Sequence, residues 1–501
     1  MHIETRLTLL IATECVARLR RHPLLKTQLR LRTIKFTHIY YDTPRLDLQS
    51  KKIVVQLRKE GVRCRLSTSI GCTESVGLHR CRKWETLLER CVPDFTRLER
   101  VVPIGVFAAP GFRRRLRPLF AAEFVRKTIP LEFGGNRIDY CFDRGELRAG
   151  DRFEAICEIG LELHSGSSAG LFEFALELQK TIPLKLEHKS RAERGYALFS
   201  DKAPVGATPA GASVLHKKMS LGAACKEIAL GCLRQMQANA DGLAAGEADS
   251  EYLHQLRVAL RRMRSSFDVF SDFFGKAVFS GFSSELGWLA GELGPARNWD
   301  VFILETFPRV LVALPAETGL PALRQTAESK RQASLSRAVA AVTSQRYQVL
   351  LLQLGAALND DSWPASGAAH PVSISAFAKW ILDKRYRNFR SRGKNLKALP
   401  RNKLHALRIA GKKLRYAAEF FVSIYPARKV RPYLDAMSAL QDALGAINDA
   451  ATTGQLLQEF SGADAEASCL IRGWIACRDQ QSSAELGPLW KRFKSAPPFW
   501  E

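Results

Sequence analysis

His254, Arg257, Arg261 and Arg264 stand three, four and three residues apart in the segment LHQLRVALRRMR. At about 100° per residue they share an arc of about 80° on one helix face. Leu256, Leu260 and Met263 back them and can face a core. His405, Arg408, Lys412 and Arg415 repeat the four positions in LHALRIAGKKLR, backed by Leu407 and Leu414, and Arg262 and Lys413 flank the two arcs. No acidic residue occurs between His254 and Phe267, or between His405 and Ala418. A solvated helix face normally mixes signs, because like charges four residues apart repel and opposite ones stabilise. Two arcs that tolerate the repulsion in register are suited to an anion. Arginine offers phosphate planar, bidentate contacts, whereas lysine acts as a point charge.

The elements carrying these arcs repeat each other. LHQLRVALRRMR begins at Leu253 and LHALRIAGKKLR at Leu404, while LGPARNWD begins at Leu293 and LGAINDAA at Leu444, both at an offset of 151 residues. Two matches at one offset indicate an internal duplication. From residue 214 onward the sequence is Leu/Ala-rich with helical periodicity, interrupted by GAALNDDSWPASGAAHPVS (355–373). Upstream, DKAPVGATPAGAS (201–213) has the composition of a linker. The first 200 residues read mainly as strands, among them HIETRLTLL, KIVVQLRKEG, VRCRLSTSI, RIDYCFDRGEL and FEAICEIGLELHSG, with helical stretches near 13–21 and at GLFEFALELQKTI. The expected organisation is a strand-rich domain (1–200), a linker (201–213) and a helical domain (214–501) whose repeats span about 214–354 and 374–495.

The chain of 501 residues carries a formal charge of +25 and a pI near 9.8. Residues 1–200 hold 36 Lys+Arg against 23 Asp+Glu, and the remainder 39 against 27, so both parts are basic on their own. Such a chain expects an anionic partner. No apolar run approaches the roughly 20 residues that span a bilayer. The start, MHIETRLTLL, lacks the sections of a secretory signal. Eleven cysteines without framework spacing fit reduced thiols in a cytoplasm, and Cys64, Cys72, Cys81 and Cys91 form no CxxC pair.

The paired segments LHQLRVALRRMR and LHALRIAGKKLRY, followed by LGPARNWDV and LQDALGAIND, resemble the CHAD domain family over roughly residues 215–495. That resemblance implies an all-α domain of two pseudo-symmetric four-helix bundles with basic residues lining a groove for inorganic polyphosphate. The implied ligands are His254, Arg257, Arg261, Arg262, Arg264, His405, Arg408, Lys412, Lys413 and Arg415. Arg297 and Arg385 are further candidates, the latter in KRYRNFRSRGK.

HIETRL, YYDTPRLDL, EIGLELHSG and the KSRAERGY stretch resemble the CYTH, or triphosphate tunnel metalloenzyme, family over about residues 1–200, in the bacterial arrangement that places such a domain before a CHAD domain. The implied fold is an antiparallel β-barrel, so the whole chain would be an α+β multidomain protein. Its tunnel would hold phosphates with basic residues and a divalent metal with carboxylates. Phosphoanhydride hydrolysis needs both: cations neutralise the phosphate oxygens, and Mg²⁺ or Mn²⁺ polarises the leaving group through oxygen ligands. Where the family reads ExExK, this chain has His2, Glu4 and Arg6; the later acidic strand has Glu158, Gly160 and Glu162. Lys83 stands at a further carboxylate position, leaving Glu85, while Ser69 and Gln56 replace basic residues. Arg6, Arg58, Arg126, Arg137 and Arg191 match basic tunnel positions, and Glu4, Glu158 and Glu162 remain as metal ligands.

The resulting expectation is a cytoplasmic polyphosphate-binding protein, associated with polyphosphate granules, whose tunnel holds tripolyphosphate but has lost much of its metal site. Binding would need no cofactor. The alternative is an active inorganic triphosphatase using Mg²⁺ or Mn²⁺. Nucleic-acid binding is permitted by charge, but no helix-turn-helix, zinc-finger or aromatic stacking signature accompanies it.

Overall fold

Alternation of polar and apolar residues along the first 165 residues builds strands with two unlike faces. The computed structural model describes residues 2–26, 32–101, 105–109, 111–200, 206–247, 249–315, 317–364, 373–460 and 465–501, and for 75, 99–101, 108, 397 and 479–483 the backbone alone. Eight strands follow in order: β1 (His2–Ile11), β2 (Arg32–Asp42), β3 (Ile53–Glu60), β4 (Arg63–Ser75), β5 (Leu78–Leu88), β6 (Arg117–Phe133), β7 (Asn136–Ala149) and β8 (Arg152–Ser165). They pair antiparallel in the order β5-β4-β3-β2-β6-β7-β8-β1, and β1 closes onto β5. The result is an eight-stranded closed barrel, which leaves no open edge among these strands. A short β9 (Leu184–Leu186) takes over the far end of β1, opposite Leu9–Ile11, where β5 no longer reaches.

The outward faces are apolar where other segments cover them. Leu48, Ile53, Val55, Leu57 and Leu66 pack under Phe107, Phe112 and Leu116. Phe36, Phe120, Phe124 and Ile156 pack under the helix Arg191–Ser200 through Ala192 and Tyr196. Two motifs distant in sequence meet here. Asp42, at the end of β2, is fully buried and accepts hydrogen bonds from the backbone N–H of Leu48 and Gln49 and from Tyr196 Oη at 3.0 Å. YYDTPRLDL and KSRAERGY are therefore tied to each other, and this fixes the helix start that points Arg191 at the barrel interior.

The helical region comprises Leu221–Ala244, Glu251–Phe274, Ala277–Asp300 and Leu320–Thr343, then Ile374–Arg392, Arg401–Phe421, Ala427–Leu456 and Ala465–Ser495. Each set of four packs sequentially, and the 251–274 and 401–421 helices also pack on each other. Compact units divide as 1–205 with 345–363, and 206–344 with 364–501. Residues 345–363, which periodicity alone groups with the helical repeats, thus belong with the barrel. The helix Gln345–Asn359 lies on the helix Ser168–Gln179, where Gln345 Nε2 donates to the Gln179 carbonyl (2.7 Å) and the Leu186 N–H donates to Gln348 Oε1 (3.0 Å).

The expectation of reduced thiols is not met throughout. Cys64 pairs with Cys91 and Cys72 with Cys81, with Cα–Cα separations of 5.4 and 4.2 Å. Cys15, Cys141, Cys157, Cys225, Cys232, Cys469 and Cys477 are free. No helix among the described residues is long and apolar enough to cross a membrane.

Candidate functional site

Inside the barrel, alternate residues of several strands converge on a cavity of about 150 Å³. β1 contributes Glu4, Arg6 and Thr8, β3 Gln56 and Arg58, β5 Lys83, β6 Arg126, and β8 Glu158 and Glu162. Lys189, Arg191 and Arg194, at the head of the 191–200 helix, complete the lining. Of the five expected basic positions, Arg6, Arg58, Arg126 and Arg191 reach this lumen. Arg137 does not. It is exposed at the start of β7, where the register shifts between Arg137 and Ile138.

Every carboxylate of the lumen is already held by a fixed cation. Lys83 Nζ donates to both oxygens of Glu4 at 3.1 Å and lies 3.4 Å from Glu85. Arg6 donates to Glu162 (2.5 Å) and to Asp143 (3.2 Å). Arg126 grips Asp143 bidentately at 2.7 and 2.8 Å and donates a third bond to Glu162 (3.0 Å). Glu158 is bracketed by Arg191 and by Arg194, the latter at 2.6 Å. Burial pushes the Glu158 and Glu162 carboxyls up, but the arginines beside each outweigh it and hold both at about 2. Burial likewise raises Glu4 and Lys83 reverses it, so the net shift is downward. His38 takes the opposite course: burial, reinforced by Arg58, Arg191 and Arg126, holds it well below the usual histidine range. It is therefore a neutral ring, and its Nε2 accepts from Arg58 Nε at 3.3 Å.

Gly160 explains how an arginine fits at position 6. A Cβ there would lie 2.1–2.7 Å from the Arg6 guanidinium, so the side chain at 6 occupies the volume that a side chain at 160 would need. Asp143, fully buried under three arginines, was not singled out by sequence reasoning; its alternation with Asp139 and Cys141 on β7 was the available signal.

A divalent cation is what the tunnel family would place here, and the residues present do not fit one. Glu4, Glu158 and Glu162, the expected ligands, are separately neutralised by Lys83, by Arg191 with Arg194, and by Arg6 with Arg126. Among the described residues no group of three or more His, Cys, Asp or Glu could hold a metal ion. Seven Lys and Arg against three Glu still line the cavity, so the lumen keeps a cationic excess suited to phosphate.

The helical unit presents the second site. Arg262 pairs with Glu419 at 2.5 Å, and Lys413 pairs with Asp268 at 3.2 Å. Arg262 and Lys413, like Asp268 and Glu419, differ by the repeat offset of 151, so these are one contact made twice across a pseudo-twofold axis. Arg415 also pairs with Glu419 (2.8 Å), and Arg385 with Asp268 (2.8 Å). Arg262 and Lys413 are thus braces that lock the two helices in register, while Arg415 pairs within its own helix and Arg385 ties the 374–392 helix to Asp268. Their acids lie just beyond the windows in which the sequence shows none.

That register brings the remaining basic residues together with little counter-charge, Asp449 beside Arg408 and Glu305 beside Arg297. Arg257 Nη1 donates to the Ala290 carbonyl (3.1 Å), Arg261 Nε donates to Tyr416 Oη (3.2 Å), and the Nε groups of Arg257 and Arg408 are buried without a partner. Arg408 has Asp449 at 3.8 Å, while Lys412 and the exposed Arg264 make no ion pair among the described residues. Burial, then repulsion from Arg408 and Arg261, pulls Lys412 down to about 7. Burial, then Arg261 and Arg297, lowers Arg257 to about 10. His254 is lowered by burial and Arg297. Arg297 itself pairs with Glu305 (2.8 Å), and His405 is exposed with Nδ1 2.7 Å from Asn448 Oδ1.

A closed antiparallel barrel with a charged lumen, followed by a duplicated helical bundle, defines a two-domain tunnel-and-bundle protein. The CYTH domain model matches residues 3–196 and the CHAD domain model residues 227–458, so the chain carries a CYTH domain followed by a CHAD domain. It is 30% identical over 162 residues to an inorganic triphosphatase of Haemophilus influenzae, a match covering 32% of this chain and 45% of that protein. It is 31% identical over 178 residues to an uncharacterised protein of Mycobacterium tuberculosis, covering 33% of each. These matches span less than half the length of either relative. Among solved structures it resembles the CHAD domain of the plant Ricinus communis, with 31% identity, a TM-score of 0.52, and coverage of 58% of this chain and 98% of that one.

Proposed function

We propose that this protein binds inorganic polyphosphate through its CHAD domain, and that its CYTH barrel is a phosphate-holding lumen with little hydrolytic capacity. The observation that carries the reading is the convergence of Arg257, Arg261, Arg408 and Lys412 from two repeats, with Lys412 held at about 7 by its neighbours. Like charges gathered this closely cost stability, and a polyanion offsets that cost. His254, Arg264 and His405 extend the site along the two helices, and Arg297 adds to it from the 277–300 helix. This reading places the protein in the cytoplasm, on polyphosphate granules. Tripolyphosphate is the ligand the lumen suits.

Hydrolysis is the second reading, favoured by the similarity to the Haemophilus triphosphatase. Against it stand Lys83 and Arg6, which occupy the carboxylates that would otherwise hold Mg²⁺ or Mn²⁺. Titration with polyphosphate of defined lengths, in competition with DNA at fixed salt and beside a tripolyphosphate hydrolysis assay with each metal, tests both. Polyphosphate should bind, outcompete DNA and gain affinity with length, with negligible phosphate release. Rapid metal-stimulated release would establish the hydrolytic reading, and equal competition by DNA would overturn the ligand assignment.

A further inference from the structure

The C-terminal ends of the 374–392 and 465–495 helices enclose, with the turn after Gly393, a cleft of about 850 Å³. Arg387 and Arg390 enter it from the first helix, Lys491 and Lys494 from the last, and Lys394 from the turn between. No carboxylate lines it, and none of these five cations makes an ion pair among the described residues. The helix dipole accounts for cations in a last turn. It does not account for like-charged pairs spaced three apart on both helices and aimed into one cleft, since each pair is repulsive.

The cleft is built on a rigid floor. Trp490 is buried against Phe389 and Phe493, and its ring fills the space a Cβ at position 393 would need, 2.2 Å away, so only glycine allows the turn to close there. Arg385, on the same helix but about 140–200° round from Arg387 and Arg390, points instead to Asp268 at 2.8 Å. The cleft therefore lies on a different face from the Arg257–Lys412 cluster.

We propose that this cleft is a second binding site for phosphate chains, separate from the face that joins the two repeats. Inorganic chains suit it better than nucleic acid. Trp490 is 7% exposed and Tyr386 has the Arg390 guanidinium over its ring at 5.6 Å, so no open aromatic face remains on which a base could stack. The proposal shares its ligand class with the reading above but none of its residues. A long chain engaging both sites gains by effective concentration, which a short one cannot.

Amine acetylation of the full chain, read lysine by lysine by mass spectrometry, tests this with long-chain polyphosphate, single-stranded DNA and inorganic phosphate at equal ionic strength. With polyphosphate about tenfold above its dissociation constant, occupancy predicts about tenfold slower modification of Lys394, Lys491 and Lys494. Lys51 and Lys52, on the exposed turn before β3, should be unaffected. The protection should persist in R257E/R261E, which separates failure of the cleft from failure of the first site. Unchanged modification in the wild-type chain would overturn the proposal, as would protection that disappears in R257E/R261E. Equal protection by DNA would overturn the inorganic assignment.

Discussion

Lys412 makes the polyphosphate reading quantitative. In the unliganded protein, burial and the neighbouring Arg408 and Arg261 bring it from 10.5 to about 7. A bound polyanion supplies the missing counter-charge and restores the ordinary value, so the complex holds a charged Lys412 where the free protein holds a largely neutral one. Below pH 7 the group is charged in both states and contributes no pH dependence. Above pH 7 the free protein must take up a proton to bind, at about 1.4 kcal/mol per pH unit. Affinity should therefore fall about thirtyfold between about pH 6 and about pH 8.5. Calorimetry at about pH 8.5 in two buffers of different ionisation enthalpy should register uptake of nearly one proton. K412R, charged throughout, should flatten the profile and bind more tightly than wild type at alkaline pH, while K412M should flatten it at lower affinity. Long chains keep end-group ionisation of the ligand from intruding. A flat wild-type profile, or uptake unchanged in K412M, would refute the argument.

R262A, which strips a buried brace from Glu419, should lower the melting temperature yet change polyphosphate affinity little, whereas R261A should do the reverse; calorimetric titration and thermal denaturation separate the two. D143A leaves three buried guanidinium groups without their shared carboxylate and should cost about 3–5 kcal/mol in denaturant unfolding. Glu158 and Glu162, lowered from 4.5 to about 2, stabilise the folded barrel fully above pH 4.5, and that contribution should drain away as pH falls towards 2, seen as acid unfolding of the strand signal. G160A forces Arg6 off its two carboxylates and should cost about 1–3 kcal/mol, a loss that R6K should partly relieve.

Much of this was legible in the sequence because period and offset are local properties. Alternation in HIETRLTLL and FEAICEIGLELHSG gave β1 and β8, and the 151-residue offset gave the duplicated helices. What could not be read was partnership. The 345–359 helix has the same Leu-rich periodicity as its neighbours, and periodicity says which face is apolar, not which unit will cover it. Arg262, Lys413 and Arg415 read as ligands because their acids, Asp268 and Glu419, fall one turn beyond the 254–264 and 405–415 runs, and Arg385 because its acid, Asp268, lies on another helix. The exclusion of metal from the lumen follows from spatial pairing of Lys83 with Glu4 and of Arg6 with Glu162. Substituted types were visible, but not that the new side chains would grip the old carboxylates. Arg137 misled because it shares the alternation of Asp139, Cys141 and Asp143 but sits at the first end of β7, exposed and beyond the residues that line the cavity.

The central claim is that the two basic arcs act as one site. R257E/R261E removes charge from the first repeat, R408E/K412E from the second, and R20E/R21E from an exposed stretch of the barrel unit. Isothermal titration of the three double mutants with long-chain polyphosphate across a salt series, with helicity checked by circular dichroism, tests it directly. Each phosphate contact releases condensed counterions, so either arc mutant should lose affinity sharply and show a shallower salt slope, while R20E/R21E should stay close to wild type. Equal, small losses in all three would contradict it.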